Sequence, residues 1–334
     1  MKNYLSTHSP VRDSLVSVIV VSCGREDLLS RCLKSIVSQS HQNLECLVVL
    51  NNGDEDTALR WKEVYPDFAF EYFSGNELYC RPQNKGIRDT QGDFVLCLND
   101  DIVLSRFYVE EALKAIGLDA RIGSVSGCLV REDGVTLDST GLFLVRSRKP
   151  LDRGYGKKIS QADSREGYIF GVNGAAAFYR RKMLEDIRVG EEYFDEDFGI
   201  YYDDLDIAWR AHRQGWRAYY CPQALAHHKR GGSTRLPAQP CLKFFEKFAL
   251  ANISKELKIR LIRNRYATII KNDRLSRFLM DLPWILFYEL RLWGYLLFFE
   301  REVLAEVLEN TGYLKRAFAK RKKITSLLKD HYGH

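Results

Sequence analysis

The chain has 334 residues, of which 46% are hydrophobic and 12% aromatic. That is ample for a packed core, in one large domain with an appendage or in two domains. The eight cysteines form no CxxC pair, which argues against a disulfide framework or a zinc site. The net charge of +6 is uneven, because the basic excess lies in residues 255–334. A basic tail indicates an anionic partner, either a membrane surface or a nucleic acid.

Residues 1–14 are polar and lack the apolar stretch of a secretory signal, so we expect a cytoplasmic protein. The next segment alternates between apolar strands and amphipathic helices. Strands are predicted at 16–21, 46–50, 68–73 and 94–98, and helices at 26–38 and near 57–64 and 84–90. This alternation predicts βαβ units in a doubly wound sheet.

Polar segments follow three of these strands, at 22–25, 51–54 and 99–101. Ligands of doubly wound sheets bind outside the carboxyl ends of the strands, so we expect these segments along one rim. Asp100 and Asp101 come directly after a strand, where two carboxylates can hold a divalent cation that bridges phosphate oxygens. The alternative is a solubilising Asp pair in a surface loop.

The middle of the chain is less regular, with short strands predicted at 123–130 and 141–145 and a basic stretch at 146–158. We expect that stretch to be a mobile loop or a lid on the acceptor side. Residues 171–174 lead into small residues that allow a backbone to approach a ligand, although a tight turn into a buried strand explains them equally well. His227 and His228 are potential metal ligands or ordinary surface residues at the end of a strand.

Residues 194–210 pack six carboxylates into an aromatic-rich run that turns into a helix. The spacing of Leu205, Ala208, Trp209 and His212 indicates one buried helix face, and Gly215 provides a stop. Asp203 and Asp204 therefore lie in the first turn, where the helix dipole favours a carboxylate that can act as general base. The alternative is a helix cap formed by Asp203 with Asp206, which leaves Asp204 unexplained.

From about residue 242 the chain changes to long helical patterns rich in aromatic, Leu, Lys and Arg residues. Residues 280–299 approach the length of a membrane span, but Asp281, Pro283, Glu289 and Arg291 interrupt them. Amphipathic helices at a membrane surface fit better, with the basic run at 320–323 facing anionic headgroups. The alternatives are a helical subdomain packed on the main domain or a homodimer interface.

These motifs, in this order, closely resemble the family 2 glycosyltransferases with a GT-A fold, and among them the rhamnosyltransferase-like bacterial members. The resemblance runs from about residue 16 to 228. It is carried by Val-Ser-Val-Ile-Val-Val at 16–21, Val-Val-Leu-Asn-Asn-Gly at 48–53, Gly-Asp-Phe-Val-Leu-Cys-Leu-Asn-Asp-Asp at 92–101, the segment 171–181, Phe-Asp-Glu-Asp-Phe at 194–198, Tyr-Asp-Asp-Leu-Asp-Ile-Ala-Trp-Arg at 202–210 and Cys-Pro-Gln-Ala-Leu-Ala-His-His at 221–228.

The resemblance implies a role for each matching position. Asp101, Asp100 and His228 are implied as ligands of Mg²⁺ or Mn²⁺. Asp204 matches the general base that takes a proton from the acceptor hydroxyl, with Asp203 beside it. The nucleotide-sugar site is implied to include Ser22, Arg25, Asn51, Asn52, Asn84, Asn99 and Asp100, and the acceptor side Asn173, Gly174 and Trp209. Asn51 stands where the family usually has Asp, which makes the donor base less certain than the reaction.

The sequence thus predicts an α/β protein with a Rossmann-like, doubly wound mixed sheet of the GT-A type and a C-terminal helical region. We expect a polar segment at 1–14, a glycosyltransferase domain at 15–240 with donor half 15–101 and acceptor half 102–240, and basic helices at 241–334. The expected activity is inverting, metal-dependent transfer of a sugar from a nucleotide diphosphate donor, such as dTDP-L-rhamnose, to a lipid-linked or polysaccharide acceptor at the inner face of a bacterial membrane.

Three other functions are compatible with parts of this sequence. The first is a UDP-sugar-dependent transferase of the same fold. The second is a nucleotidyltransferase, against which the lack of a Gly-rich, basic phosphate loop after the first strand argues. The third is a catalytically silent binder of nucleotide-sugar or nucleic acid, against which Asp101, Asp204 and His228 argue; a nucleic-acid partner is therefore not expected.

Overall fold

The computed structural model describes residues 11–161, 165–230 and 253–332, with side chains to residue 327. The expected domain boundary near 240 lies outside these residues, as do most of the polar segment at 1–14 and of the basic loop after His228. Residues 15–101 fold in the predicted alternation. The elements are β1 (Val16–Ser22), α1 (Glu26–Val37), β2 (Leu44–Asn51), α2 (Glu55–Val64), β3 (Ala69–Phe73), α3 (Cys80–Arg88) and β4 (Phe94–Asn99).

The strand β1 is buried along its whole length, as its β-branched run predicts. Val18 and Val20 pack against Leu29 and Leu33 of α1 in one cluster, whereas Ile19 points into a second cluster on the other face. A Cβ at Gly86 of α3 would lie 2.3 Å from Ile19, so glycine lets this helix lie directly on the strand. The helix begins at Cys80, four residues before the predicted start.

The second part of the chain adds eight strands and three helices within the described residues. They are β5 (Ile102–Leu104), α4 (Tyr108–Ile116), β6 (Ile122–Arg131), β7 (Leu137–Ser139), β8 (Leu142–Leu144), β9 (Pro150–Asp152), β10 (Gly167–Ile169), β11 (Ala176–Arg180), α5 (Arg181–Ile187), α6 (Asp203–Arg213) and β12 (Arg217–His228). The strand β5 and the helices α4 and α5 were not predicted, because their patterns are short.

In the described part of the chain, ten strands form one mixed sheet with the central order β10-β12-β6-β11-β4-β1-β2-β3. The block β4-β1-β2-β3 is parallel, β11 is antiparallel to both β4 and β6, and β12 runs parallel to β6. The predicted mixed, doubly wound α/β sheet is therefore confirmed. Its topology brings the carboxyl ends of β1 and β4 to the same edge.

The basic stretch at 146–158 was expected to be a mobile loop or a lid, and that expectation is wrong for Arg148. This side chain is buried and forms ion pairs of 2.7 Å with Asp273 and 2.8 Å with Asp281. The strand β9 follows directly and pairs with β8. The stretch is therefore fixed by buried charge pairs to the helices that follow the sheet.

The C-terminal helices are α7 (Lys255–Asn272), α8 (Leu275–Met280), α9 (Leu282–Phe299), α10 (Arg301–Glu309) and α11 (Gly312–Tyr332). Lys271 of α7 is buried and lies 2.5 Å from Asp195 and 2.9 Å from Asp206 of α6. Lys320 of α11 also reaches Asp195, at 2.5 Å. The alternative of a helical subdomain packed on the main domain is thus what α7 and α11 show. Among the described residues, no helix is both long enough and apolar enough to cross a bilayer.

Candidate active site

The first of two carboxylate pairs, Asp100 and Asp101, follows β4 directly and is buried. The Ser22 hydroxyl at the end of β1 donates a 2.8 Å hydrogen bond to Asp100. The Arg25 guanidinium also donates to Asp100, and its other nitrogen lies 3.5 Å from Asp101. Burial raises the pKa of Asp100, although Ser22 and Arg25 oppose the rise. The structure therefore brings together four residues that the sequence placed on one rim.

His228 lies beside this pair because β12 pairs with β5, which places His228 opposite Ile102. Its Nε2 atom lies 3.3 Å from Asp101, and its Nδ1 atom lies 2.7 Å from the buried carboxylate of Asp138. Burial lowers the pKa of His228, but hydrogen bonds to Asp101 and Asp138 outweigh it and raise the pKa to about 9. In this arrangement His228 lies between two carboxylates.

The donor set of Asp100, Asp101 and His228 has the chemistry that Mn²⁺ or Mg²⁺ requires, with carboxylate oxygens and one imidazole. Asp138 holds the second nitrogen of His228, as a carboxylate commonly does for a metal-binding histidine. Within the described ranges, no three His, Cys, Asp or Glu side chains are clustered as a metal site. The two oxygens of Asp100 accept hydrogen bonds from Ser22 and Arg25.

The second carboxylate pair, Asp203 and Asp204, begins helix α6 after a backbone of unusual conformation. Tyr201 and Tyr202 both have positive φ, at 69° and 66°, a conformation that is rare for bulky residues and persists only when surrounding contacts impose it. The buried Asn264 side chain of α7 supplies such contacts, because it donates to the carbonyls of Phe198, Ile200 and Tyr201 at 2.8–3.0 Å. The C-terminal helices therefore hold the loop that presents this pair.

The cap alternative for Asp203 is wrong, because the N-cap residue is Tyr202 and no side chain caps the helix. Asp206, the other half of the supposed cap, instead pairs with Arg210 at 2.9 Å and with Lys271. Gly215 follows the helix with φ of 80°, so the predicted stop is confirmed.

The two carboxylates of the second pair differ in exposure. Asp203 is buried, whereas Asp204 is partly exposed and accepts hydrogen bonds from the backbone of Leu205 at 2.7 Å and of Gly174 at 3.3 Å. Burial and the neighbouring Asp204 raise the pKa of Asp203 to about 8. Burial and Asp152 raise the pKa of Asp204 to about 6. At neutral pH the pair therefore keeps a proton on the inner member and a charge on the outer one.

Gly174, one of the residues predicted on the acceptor side, contacts Asp204, and Asn173 precedes it in the chain. The Asn173 side chain donates to Asp152 at 2.7 Å, and the hydroxyl of Tyr79 donates to the Gly174 carbonyl at 2.8 Å. Asp152 lies 3.9 Å from Arg230, whose guanidinium also binds Asp138. A continuous set of polar contacts thus connects the two carboxylate pairs.

The prediction that Asn84 binds the donor is wrong. Its side chain is fully buried, its oxygen accepts from the backbone of Tyr193 and Phe194, and its nitrogen donates to Phe194 and Glu196. No hydrogen-bonding position is left for a nucleotide. Asn84 instead holds residues 193–196, which precede the turn that leads to Asp203.

Three more predicted donor residues lie near the ends of β2 and β4. Asn51 is buried and binds Leu78, Asn76 and Glu77, so its side chain shapes a loop rather than facing open space. Asn52 is exposed in a turn with φ of 67°, and Asn99 is partly buried at the end of β4. Trp209, predicted on the acceptor side, lines a separate cavity with Phe170 and His212.

Sequence reasoning missed Asp138, Asp152, Tyr79 and Asn264. Asp138 gives no clear signal, since it stands in the short polar segment Leu137–Ser139. Tyr79 and Asn264 act through contacts across 95 and 63 residues of sequence, and Asp152 contacts Asn173 21 residues away, which no local pattern shows.

A family model described as glycosyltransferase like family 2 matches residues 13–243. The chain therefore belongs to this family, and it is a glycosyltransferase. Poly-beta-1,6-N-acetyl-D-glucosamine synthase of Staphylococcus aureus strain MSSA476 is 20% identical over 216 residues, covering 63% of this chain and 48% of that protein. The enzyme of the same name in Staphylococcus epidermidis is 22% identical over 217 residues, with the same coverage. The chain spans about half the length of these curated relatives.

Solved structures show the same fold. The crystal structure of S. aureus TarS 1–349 aligns with a TM-score of 0.56 at 15% identity, covering 95% of this chain and 88% of that one. The structure of GalNAc-T7 with UDP, GalNAc and Mn²⁺ also aligns with a TM-score of 0.56, at 11% identity, covering 77% of this chain and 48% of that one. The GT-A fold predicted from the motifs is thereby confirmed.

Proposed function

We propose that this glycosyltransferase moves a sugar from a nucleotide diphosphate donor to an acceptor hydroxyl with inversion, and that Asp204 is the general base. One observation carries the proposal: Asp204 is a partly exposed carboxylate on the first turn of a buried helix, where it accepts a hydrogen bond from the backbone of Gly174. A base with a pKa near 6 is ionised at neutral pH and still accepts a proton.

In the proposed step, Asp204 takes the proton of the acceptor hydroxyl as the oxygen attacks the anomeric carbon. The bond from that carbon to the donor diphosphate breaks, and the nucleotide diphosphate leaves with the electron pair. Asn173 and Gly174 fix the acceptor side of Asp204 through contacts to Asp152 and Tyr79. No carboxylate nucleophile is required for a single in-line displacement.

We assign the donor diphosphate to the rim formed by Ser22, Arg25, Asp100 and Asp101, and the metal ligands to Asp100, Asp101 and His228. A bound Mg²⁺ or Mn²⁺ would neutralise the charge that develops on the diphosphate. Arg25 supplies part of the same neutralisation, since its guanidinium already lies at both carboxylates. Asp138 orients His228 toward Asp101.

For the donor, we retain dTDP-L-rhamnose as the first candidate from the motif resemblance, with UDP-sugars as the alternative. Nucleotide diphosphates in general are supported by the fold neighbours, because one was solved with UDP, GalNAc and Mn²⁺. A second, a mannosyltransferase of Pyrobaculum calidifontis solved with GDP-Man and Mn²⁺, aligns with a TM-score of 0.50 at 16% identity, covering 95% of this chain and 86% of that one.

We also propose that the exposed face of α8 and α9 docks on an anionic bilayer, where a lipid-linked acceptor would be found. Leu286, Phe287, Leu290, Leu297 and Phe298 recur at helical spacing and are 51–74% exposed, while Ile285, Leu292 and Leu296 pack inward. Arg274 and Arg277 are exposed between Leu275, Leu279 and Met280 of α8. Apolar side chains flanked by arginines complement acyl chains below anionic headgroups.

The docking proposal is tested by sedimentation with phosphatidylcholine vesicles that contain or lack phosphatidylglycerol. We expect binding that needs phosphatidylglycerol and is lost in Leu290→Gln/Phe298→Gln but kept in the control Leu59→Gln/Val64→Gln on α2, whose side chains are also exposed. Equal loss in both variants would overturn it. A concentration-dependent dimer abolished only by Leu290→Gln/Phe298→Gln would assign this face to a second copy instead.

The donor proposal is tested by thermal unfolding with UDP, dTDP, GDP and CMP, each with and without Mn²⁺. A ligand that binds only the folded state at a hundredfold excess over its dissociation constant stabilises it by about 2.7 kcal/mol. We expect a metal-dependent rise in Tm with dTDP or UDP, followed by transfer of the matching sugar. The absence of a shift with all four nucleotides would overturn the donor assignment.

A further inference from the structure

A cavity of about 520 Å³ lies between the turn after β8, helix α6 and the junction of α7 with α8. It is separate from the two carboxylate pairs, and the proposed transfer does not use it. One wall is aromatic: the Phe170 ring stacks on His212 with centroids 4.8 Å apart and meets Trp209 edge-on at 6.4 Å. Such rings provide flat surfaces on which the apolar faces of a sugar or an isoprenoid can pack.

The other wall carries an excess of arginine. Arg146, Arg148, Arg213, Arg274 and Arg277 line the cavity, against two acidic residues, Asp273 and Asp281. Both carboxylates are already bound by the buried Arg148, at 2.7 Å and 2.8 Å. Within the described ranges, Arg213, Arg274 and Arg277 form no ion pair, so no acidic residue of those ranges compensates their charges.

The hydrogen bonds of Arg213 are incomplete among the described residues. One of its terminal nitrogens donates to the Lys271 carbonyl at 3.0 Å, but its Nε atom is buried and has no hydrogen-bond partner among the described residues. Burial lowers the pKa of Arg213, and the nearby Arg321 and Arg274 lower it further. A buried donor without a partner is unfavourable, so an anion placed here would stabilise the site.

We propose that this cavity binds the phosphate group of the acceptor substrate. The inference rests on the proposed function, because it names the chemistry of the acceptor that Asp204 deprotonates. The segment from Phe170 to Gly174 connects the two sites: Phe170 lines the cavity, and Gly174 contacts Asp204. Four residues of chain reach at most about 13 Å, so a phosphate in the cavity and a hydroxyl at Asp204 can belong to one acceptor molecule.

Two sources provide this chemistry: a lipid diphosphate that carries a sugar, and a phosphate within a soluble anionic polymer. The apolar side chains of Leu275 and Leu279 alternate with Arg274 and Arg277 on α8, so a lipid chain could continue from the cavity onto the exposed face of α8 and α9. The phosphate contact is common to both sources, and only the apolar continuation differs.

The test uses the full chain in EDTA, so that a metal-bound donor site does not contribute, with inorganic pyrophosphate and farnesyl diphosphate as probes in a calorimeter. We expect both to bind, and the double variant Arg274→Gln/Arg277→Gln to weaken binding by about tenfold or more. The matched control Arg60→Gln/Arg121→Gln, which removes two exposed arginines elsewhere, should bind as the wild type does. Both variants should keep the Tm shift with nucleotide and Mn²⁺.

Tighter binding of farnesyl diphosphate than of pyrophosphate assigns the site to a lipid acceptor, and equal binding assigns it to a soluble phosphate. No binding of either probe, or an equal loss in both variants, overturns the phosphate site. Because the nucleotide shift reports the donor rim alone, its loss with intact pyrophosphate binding would count against the proposed function and not against the cavity.

Discussion

The molecule contains two Asp-Asp pairs that the fold places in opposite electrostatic surroundings. Asp100 and Asp101 lie among Ser22, Arg25 and His228, which compensate their charge. Asp203 and Asp204 have carboxylates as the neighbours that act on them most, Asp152 and Asp206 among them. Burial acts on both pairs, so the difference comes from the neighbours. The first pair is equipped to hold charge, and the second to exchange a proton.

The comparison also explains why each pair belongs to a different part of the chain. Arg25 and Ser22 come from the turn after β1, which lies next to β4 in the parallel sheet. The second pair depends on the loop before α6, which Asn264 of α7 holds in a left-handed conformation. The rim is thus built by the sheet alone, whereas the base is positioned by the C-terminal helices.

The largest effect is expected for Asp204→Asn. The substitution keeps size and hydrogen bonding but removes the base, so kcat should fall by a factor of ~10² or more while nucleotide affinity stays unchanged. In the wild type, kcat/KM should fall as pH is lowered through about 6, because Asp204 becomes protonated. The measurement is initial rate against pH for both proteins. A folded Asp204→Asn enzyme with near-normal turnover would remove Asp204 from its role.

The next largest effect is expected at Asp138, which holds His228 beside the first pair, Asp100 and Asp101. Asp138→Asn loosens the orientation of His228 without touching the donor, so the Mn²⁺ concentration for half-maximal activity should rise by about 10–100-fold. Glu132→Gln, an exposed acidic residue on the same stretch, serves as the control. An unchanged Mn²⁺ requirement in Asp138→Asn would show that His228 takes no part in metal binding.

Much of the first half of the molecule could be predicted because its signals are local. The β-branched run of β1 dictates burial on both faces, and strand ends in a parallel sheet must share a rim. Asn84 shows the limit of motif reasoning: its position in the motif predicts a ligand contact, but its four hydrogen bonds reach residues about 110 positions away. Likewise, nothing local distinguishes Arg148 from the exposed basic residues around it.

The parts of the site that could be predicted are those whose reactive residues are adjacent in the sequence. Both Asp pairs stand out in the sequence, yet the groups that surround them, among them Arg25 and His228 at the first pair and Asp152 at the second, come from separate elements. The fold decides which carboxylate meets a cation. That decision depends on strand order and on the docking of α7, neither of which periodicity reveals.

A moderate effect is expected for Asn264→Ala. This substitution tests whether Asn264 holds the loop that positions Asp203 and Asp204. Three loop carbonyls lose their donor, so the free energy of unfolding should fall by about 1–3 kcal/mol. We also expect a lower kcat with unchanged nucleotide affinity, since only the base is displaced. Denaturant unfolding and initial rates measure both, with Asn310→Ala at the end of α10 as the control. If nucleotide affinity fell as much as kcat, Asn264 would support both Asp pairs, and the two pairs would not be positioned independently.

The effect expected for Asp203→Asn is on stability rather than on catalysis, and its sign follows from linkage. The pKa of Asp203 is about 8 in the folded protein, against about 3.9 in an unfolded chain. Between these values the folded state binds more protons than the unfolded state, so the contribution of Asp203 to stability falls as pH rises from about 4 to about 8. Asparagine cannot titrate, so the Tm of Asp203→Asn relative to the wild type should rise across this window.

Each kcal/mol of destabilisation that the substitution removes raises Tm by on the order of 2–4 °C, which calorimetry at several pH values resolves. Asp89→Asn, at the exposed end of α3, should show no such trend. A Tm difference that is constant with pH would mean that Asp203 is ionised in the folded protein. Asp203 would then not hold the proton in the free enzyme. The difference in protonation between Asp203 and Asp204, which keeps Asp204 available as the base, would have to arise when the substrate binds.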